Sequence, residues 1–552
     1  MSASDKKKLR KEQTAAVLSE KQRQEQAEAK KLKAYTIAFV STIIALACVA
    51  VAVLGIRAVN NSGVIQRNTI AATVGDNALN TIELSYYYND AINNFYNDVY
   101  NNYSDYADSY FEVIGLDTSK PLDEQTNSET NKTWAEYFVD SALEQAKNDY
   151  AMYEKAIADN FELPAEEQTS LDNQINNLET YAMLYGYSNS KQYLRAMYGY
   201  GADAESYGQY MKRAAIASAY VADHEDSLTY DDAAIREYEA DKISEYNSYT
   251  YSYAYLSYTD FRQGGTEDEG NTKVYSAEEN DAARELMKTA AEELATATSV
   301  EELKEKAANA PVNEDSQLAV NTEEAQRHSS INSELANWLA AEECKEGDIA
   351  AIANSSTTTA EDGTETTVTN GYYVAIFHSM TDNTKKMSNV RHLLVKFEGG
   401  TTDEESGETV YTEEEKAAAK EEAEGYLKTW QEGEATEDTF IELVEEHSDD
   451  SSASTGGLFE NIHPDSSYVE NFLNWSISAD RKVGDAEVIE TEYGYHVMYY
   501  AGDAEMSYRD YIISEELRAK EHEEWYQSVL EPITTAIGDL SKMKLDLIIN
   551  PA

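Results

Sequence analysis

The sequence predicts an α+β protein with an N-terminal transmembrane helix, a mostly helical lobe and two related α+β domains, the first of them degenerate. Three observations carry this reading. The 23 residues from Ala34 to Ile56 hold no charge. Apolar residues at helical spacing dominate the chain up to about Ser248. Beyond that point, strand-like and helical segments occur twice with matching landmarks. A chain of 552 residues is also too long for one ordinary domain.

Composition narrows the function classes. The formal net charge is -59, so nucleic acid is excluded as a partner, because phosphate binding requires clustered Lys and Arg. The 42 Tyr and the 42% apolar content supply cores that a disordered acidic chain would lack. Cys48 and Cys344 lie far apart in different kinds of segment, which leaves neither a disulfide framework nor a cysteine zinc site. No cofactor is expected.

At the amino end, residues 1–33 carry ten Lys or Arg against five acids. The uncharged run that follows spans about 34 Å as a helix, enough to cross a hydrocarbon core of roughly 30 Å. The positive flank belongs in the cytoplasm, which sends the bulk of the chain outside. That exported part holds 34 basic and 98 acidic residues. A cleaved signal peptide would have a shorter apolar run and a small-residue exit, whereas Arg57-Ala58-Val59-Asn60 follows here. Ala45-Leu46-Ala47-Cys48 is a faint lipobox, but eight apolar residues follow the cysteine where a lipoprotein turns polar. The expectation is a retained anchor.

After a spacer, Thr73-Val74-Gly75-Asp76 reads as a strand and turn, and Asn80 offers a helix cap. Leu84, Tyr87, Ala91, Ile92, Phe95, Tyr96 and Val99 then follow at helical spacing. The helical signal resumes at Trp134 and breaks near Pro164 and Gly199 to Gly201. The plain reading of these Tyr and Met stripes is helix packing. Such side chains also mould to many partners. A last helix, Ser507 to Leu530, has no helical neighbour in sequence and is expected to pack back on the early helices.

The duplication rests on spacing. Asn337-Trp338 precedes Gly347-Asp348 as Asn474-Trp475 precedes Gly484-Asp485, and Gly371-Tyr372-Tyr373-Val374 answers Gly494-Tyr495-His496-Val497. Tyr249 to Tyr258 takes the place of Val390 to Phe397. The first copy therefore has Tyr253 and Tyr373 where the second has His392 and His496. Asn354 to Asn370, rich in Thr and Ser, reads as a long surface loop.

Val390 to Tyr500 combines Arg-His-Leu-Leu-Val, two Ala/Glu-rich helices (about Thr412 to Trp430 and Glu437 to His447), Ser448-Asp449-Asp450, Gly456-Gly457 and Gly-Tyr-His. In this combination the stretch resembles a parvulin-type peptidyl-prolyl isomerase domain. The exported chain is similar to extracytoplasmic foldases of the PrsA and SurA type. The resemblance implies that His392 and His496 are a hydrogen-bonded pair on adjacent strands. It assigns Asp450 to the acidic or thiol position and Thr491 to the hydroxyl position. Phe472 matches the aromatic that contacts the proline ring, and Tyr468 stands where the family usually has Met. Leu458 completes the expected apolar pocket.

Blander readings accompany these roles. The histidines would serve equally to shape a sheet, and Asp450 to cap a turn. Metal binding by the two histidines and Asp450 lacks short ligand spacing, and no Ser or Cys is placed by a motif beside either histidine. The acidic runs Glu267 to Glu269 and Asp403 to Glu408 read as solvated loops. The second run disfavours phosphorylated Ser-Pro substrates by charge.

The expected order is a basic cytoplasmic tail (1–33), a transmembrane helix (34–56), a linker (57–72) and a helical chaperone-like lobe (73–245). A degenerate parvulin-like domain (246–385), the isomerase domain (386–502) and a C-terminal helix packing on the lobe (503–552) complete it. The expected partners are the membrane and unfolded, newly exported polypeptides containing X-Pro bonds. The expected function is a membrane-anchored foldase that isomerises those bonds and holds clients. The alternative is a non-catalytic holdase or surface-binding protein built on inactive parvulin folds.

Overall fold

The computed structural model describes residues 2–240, 242–267, 273–359, 364–402 and 409–549. The acidic run Asp403 to Glu408, and Asp268 and Glu269 of the other run, lie outside the described residues. The chain divides into two compact units, one of residues 1–228 with 521–552 and one of residues 229–520.

In the first unit, helix α1 (Ala3–Ser62) runs unbroken through the tail, the apolar run and the start of the expected linker. The stretch Lys30–Val59 is long and apolar enough to cross a membrane, by length and composition, and is fully exposed. Helix α1 stops where Gly63 takes φ 76°, a left-handed conformation open to glycine at little cost. The rest of the linker segment is a short helix, Val64–Asn68, and the first residues of a strand. This corrects the linker reading, because Ser and Asn weaken a helix but do not break it as Pro does.

Strands β1 (Ile70–Val74) and β2 (Asn77–Asn80) form a hairpin, and the C-terminal strand Thr535–Ile537 pairs with β1 on its other edge. Asn80 caps helix α2 (Thr81–Tyr103) by accepting the N–H groups of Ile82 and Glu83. Helices α3 (Trp134–Ala158), α4 (Ala165–Asn176) and α5 (Ala204–Ser227) follow. Leu84, Tyr87, Ala91, Ile92 and Val99 of the expected stripe are buried with Trp134, Phe138 and Tyr210. The C-terminal residues Trp525, Val529 and Leu530 pack on Ala151, Met152 and Ala217.

The second unit contains two four-stranded antiparallel sheets of the same design. The first comprises β3 (Ser248–Ser257), β4 (Val320–Arg327), β5 (Ile349–Thr359) and β6 (Glu365–Thr381) in the order β4-β3-β6-β5. The second comprises β7 (Lys386–Lys396), β8 (Leu458–Ile462), β9 (Ala486–Thr491) and β10 (Gly494–Ser507) in the order β8-β7-β10-β9. Gly371 stands opposite Ser257 as Gly494 stands opposite Lys396. Counted from these glycines, Tyr373 occupies the place of His496, and Tyr253 that of His392.

Two expectations change here. Of the stretch Asn354 to Asn370, residues 360–363 lie outside the described residues, and residues 354–359 and 365–370 are strand in place of the expected loop, because β5 and β6 pair from Ser355↔Thr369 to Thr359↔Glu365. Thr has high strand propensity, and the cross-strand hydroxyls of Ser355 and Thr369, and of Thr357 and Thr367, meet at 2.9 Å. The lobe also ends earlier than residue 245. Ile235 and Tyr246 bury with Met387, Tyr508, Ile512 and Ile513 in the second unit. Helix α6 (Tyr508–Leu530) is accordingly divided, its residues to Lys520 in this unit and those from Glu521 in the first. Only its second half meets the expectation of packing on the early helices.

Candidate functional site

Alternation along β7 and β10 sorts the side chains. Leu393, Val395, Tyr495, Val497 and Tyr499 face one core, with the helices Glu413–Glu432 and Glu437–His447. Val390, Met498 and Tyr500 face the other, with the helix Glu470–Ile477. His392 and His496 lie on this second face, and the register places Met498 opposite His392. The histidines are therefore diagonal neighbours across two central strands. Their Nδ1 atoms are 2.8 Å apart, and their relative exposures are 2% and 5%.

The hydrogen bonds continue in both directions. Thr491 Oγ1 is 2.8 Å from His496 Nε2, and the Tyr493 N–H donates to Thr491 at 3.2 Å. At the other end, His392 Nε2 lies 3.6 Å from Asp450 Oδ1 and 3.4 Å from Ser452 Oγ. The Ser452 hydroxyl donates to Asp450 Oδ1 at 2.5 Å. Because Ser452 gives its own proton to Asp450, its oxygen accepts from His392, which places the proton of His392 on Nε2. His392 Nδ1 then accepts from His496 Nδ1–H, and His496 Nε2 accepts from the Thr491 hydroxyl. The chain of donors runs from Thr491 through the two histidines and Ser452 to Asp450.

Burial, followed by the charge of His392, pushes His496 down to about 3. It is neutral at pH 7. The contact with His392 holds Asp450 well below the usual carboxylate range; burial opposes this, and the Ser452 hydroxyl and N–H add to it. Asp450 also caps the turn after it through the Ser452 N–H at 2.8 Å, so the blander role coexists with the electrostatic one. Ser448 and Asp449, given no role from sequence, dock this loop on β7. The Ser448 hydroxyl accepts from the Leu394 N–H and the Asp449 N–H donates to the Leu394 carbonyl.

These shifts set a pH dependence. Unfolded His496 binds protons below its ordinary 6.5, whereas the folded residue resists them down to about 3. Its contribution to stability therefore falls as pH drops through that window. That of Asp450, full above its ordinary 3.8, falls at lower pH still. Urea midpoints are expected to decline from pH 7 to pH 4.5, and His496→Gln is expected to narrow that decline. An unchanged decline in the variant would contradict the account of His496.

Phe472 is buried, with its ring centroid 5.4 Å from His392 and 5.7 Å from His496, edge to face with both. Tyr468 lies 5.3 Å from Phe472 and is 36% exposed, so the aromatic cluster reaches the surface. Leu458 is a correction. It pairs with Arg391, whereas Phe459 pairs with Val390, so Leu458 faces away from the histidines and Phe459 faces them. A shift of one residue along a strand exchanges its faces. The Phe459 ring is 5.0 Å from His392 and 5.5 Å from Tyr468. Strand alternation counted back from the buried Ile462 would have indicated which residue shares a face with the histidines, had the kink in this strand been visible.

Together these features define a hydrogen-bonded pair of histidines beside an ionised carboxylate and flanked by three aromatic rings. Residues 392–502 match the Rotamase family, PPIC-type PPIASE domain, and this segment is a parvulin-type peptidyl-prolyl isomerase domain. Among solved structures, the chain is similar to peptidylprolyl isomerase PrsA from Bacillus cereus at 22% identity, with 27% of this chain and 50% of that one covered and a TM-score of 0.17. It is also similar to peptidylprolyl isomerase PrsA from Bacillus anthracis at 19% identity, with 27% and 59% covered and a TM-score of 0.17. The chain thus spans only between 50% and 59% of the length of these two structures. The comparison with curated proteins gave no match.

Proposed function

We propose that this chain is a membrane-anchored extracytoplasmic foldase whose second sheet isomerises X-Pro bonds in newly exported polypeptides and whose helical lobe holds them. The observation that carries the catalytic reading is the line Thr491–His496–His392–Asp450 beside Phe472, Phe459 and Tyr468, inside the segment that matches the isomerase family.

The chemistry is rotation about an amide whose C–N double-bond character sets a barrier of about 18–20 kcal/mol. No bond to substrate forms. Phe472, Phe459 and Tyr468 grip the proline ring and exclude water, which favours the less polar twisted amide. Asp450, fixed by Ser452 and faced by His392, sets the field at the rotating carbonyl, and each 1.4 kcal/mol so gained is about tenfold in rate. The uncatalysed step takes tens to hundreds of seconds, slow enough to limit folding after export.

Asp450→Asn tests the electrostatic part. The amide keeps the turn cap but loses the charge that orients both histidines. The rate constant for a Pro-containing peptide is expected to fall roughly tenfold to a hundredfold, with the unfolding midpoint near that of the wild type. An unchanged rate would leave Asp450 with the cap alone.

The first sheet supports a second role for the chain. It repeats the strand order and register of the second with Tyr253 and Tyr373 in place of the histidines, and their rings lie 5.8 Å apart. On this reading it is a degenerate copy without isomerase activity. Suppressed aggregation of an unfolded client with no isomerisation would favour the holdase alternative for the whole chain.

A further inference from the structure

The interior of the helical lobe holds more negative than positive charge. Glu83 pairs with Arg213 at 2.6 Å, and the same guanidinium stacks over the Tyr150 ring at 3.9 Å. Arg213 is thereby engaged. Asp149 Oδ2 and the Tyr87 hydroxyl are buried and without hydrogen-bond partners. Asp90 accepts the Tyr210 hydroxyl, and among the described residues no Lys, Arg or His pairs with it. Glu83 thus takes the cation, and Asp90 has no ion pair among the described residues.

Asp90 also borders an open cavity of about 360 Å³ between α2, α4 and α5, lined by Leu171, Tyr207, Tyr210 and Met211 among others, with the exposed Glu167 on its lining as a second carboxylate. The Tyr86 ring packs against those of Tyr207 and Tyr210 at 5.2 and 5.3 Å, so the walls are aromatic and braced from behind. Burial raises Asp90 above its ordinary value, as expected of a carboxylate without a counter-charge. A half-buried carboxylate beside aromatic and methionine side chains suits a cation on an aliphatic stem. The stem packs on Leu171 and Met211, the head meets Asp90, and ring faces attract it further. The cavity is in the size range of side-chain and small-ligand pockets.

We infer that this cavity is a binding site for a Lys or Arg side chain of an unfolded polypeptide, with Asp90 as its counter-ion. The inference rests on the reading of the lobe as a holder of clients and gives that reading a substrate preference.

The test uses the full chain in nanodiscs and two Pro-free peptides, identical except for one Lys replaced by norleucine. The Lys peptide is expected to bind at least about tenfold more tightly. Asp90→Asn, which keeps an acceptor for Tyr210, is expected to abolish that preference while leaving norleucine-peptide affinity and prolyl isomerisation unchanged. Equal binding of the two peptides by the wild type, or a preference intact in the variant, would overturn the inference. A second arm needs no client: n-butylammonium chloride is expected to raise the unfolding midpoint of the wild type above the effect of equal sodium chloride, and to fail to do so in Asp90→Asn. If neither peptide binds but butylammonium separates the two proteins, the cation site stands and the holding role falls. Equal effects of butylammonium on both proteins would remove the site itself.

Discussion

Phe472→Ala is expected to lower the isomerisation rate constant about a hundredfold, while Leu335→Ala, at the equivalent place in the first copy, leaves it within about twofold. Phe472 touches both histidines, Phe459 and Tyr468. Removing it leaves a void where the proline ring would be gripped. Loss of roughly 3 kcal/mol of packing at a buried phenylalanine corresponds to about two decades in rate where the same contacts act on the twisted amide. The substitution also costs stability, so rates are taken per folded molecule, with the folded fraction read from denaturant curves. Leu335 is buried as well, beneath the Tyr253 and Tyr373 rings of the first sheet, and its loss destabilises without touching the histidine line. Equal loss of rate from both substitutions would refute the division of labour between the two sheets.

Gly457→Ala is expected to damage the isomerase domain far more than the size of one methyl group suggests. Gly457 has φ +64°, and a Cβ there would lie 2.2 Å from the His392 carbonyl oxygen. The Gly457 carbonyl accepts the His392 N–H at 3.0 Å, so relief of the clash pulls β8 from β7 at His392. Left-handed strain costs about 1–2 kcal/mol, and the displaced backbone brings the expected total to about 3 kcal/mol or more. Gly484→Ala is the control: φ is +92°, with nothing within 4 Å of the added carbon, so only the strain remains. Urea unfolding of the two variants measures the difference. Similar losses would mean that the approach of Gly457 to His392 is unimportant.

Much of this site was legible because it depends on local periodicity. Two-residue alternation places His392 and His496 on strands, and the internal repeat, with tyrosines at both positions, singles them out. Asp450 and Thr491 were found through the family resemblance, and their contacts with His392 and His496 are short-range consequences of that fold. The failures share a cause of another kind. Leu458 is the wrong residue of its strand, because β8 carries an irregularity between Phe459 and Ile462 that the sequence does not display, and one residue of register decides the face. The hydroxyl-rich stretch around Asn354 reads as loop by composition, yet its threonines pair across β5 and β6. The division of helix α6 depends on burial against residues far away in sequence, Ile235 and Met387 at one end and Met152 and Ala217 at the other. Helical periodicity reports a buried face but not the partner that buries it.

The most direct measurement of the central claim is exchange between the cis and trans forms of a short X-Pro peptide, followed by NMR with a substoichiometric amount of the full chain in nanodiscs. The account predicts exchange well above the buffer rate with the wild type and close to that rate with Phe472→Ala. Exchange with the folded wild-type chain that does not exceed the buffer rate would contradict it.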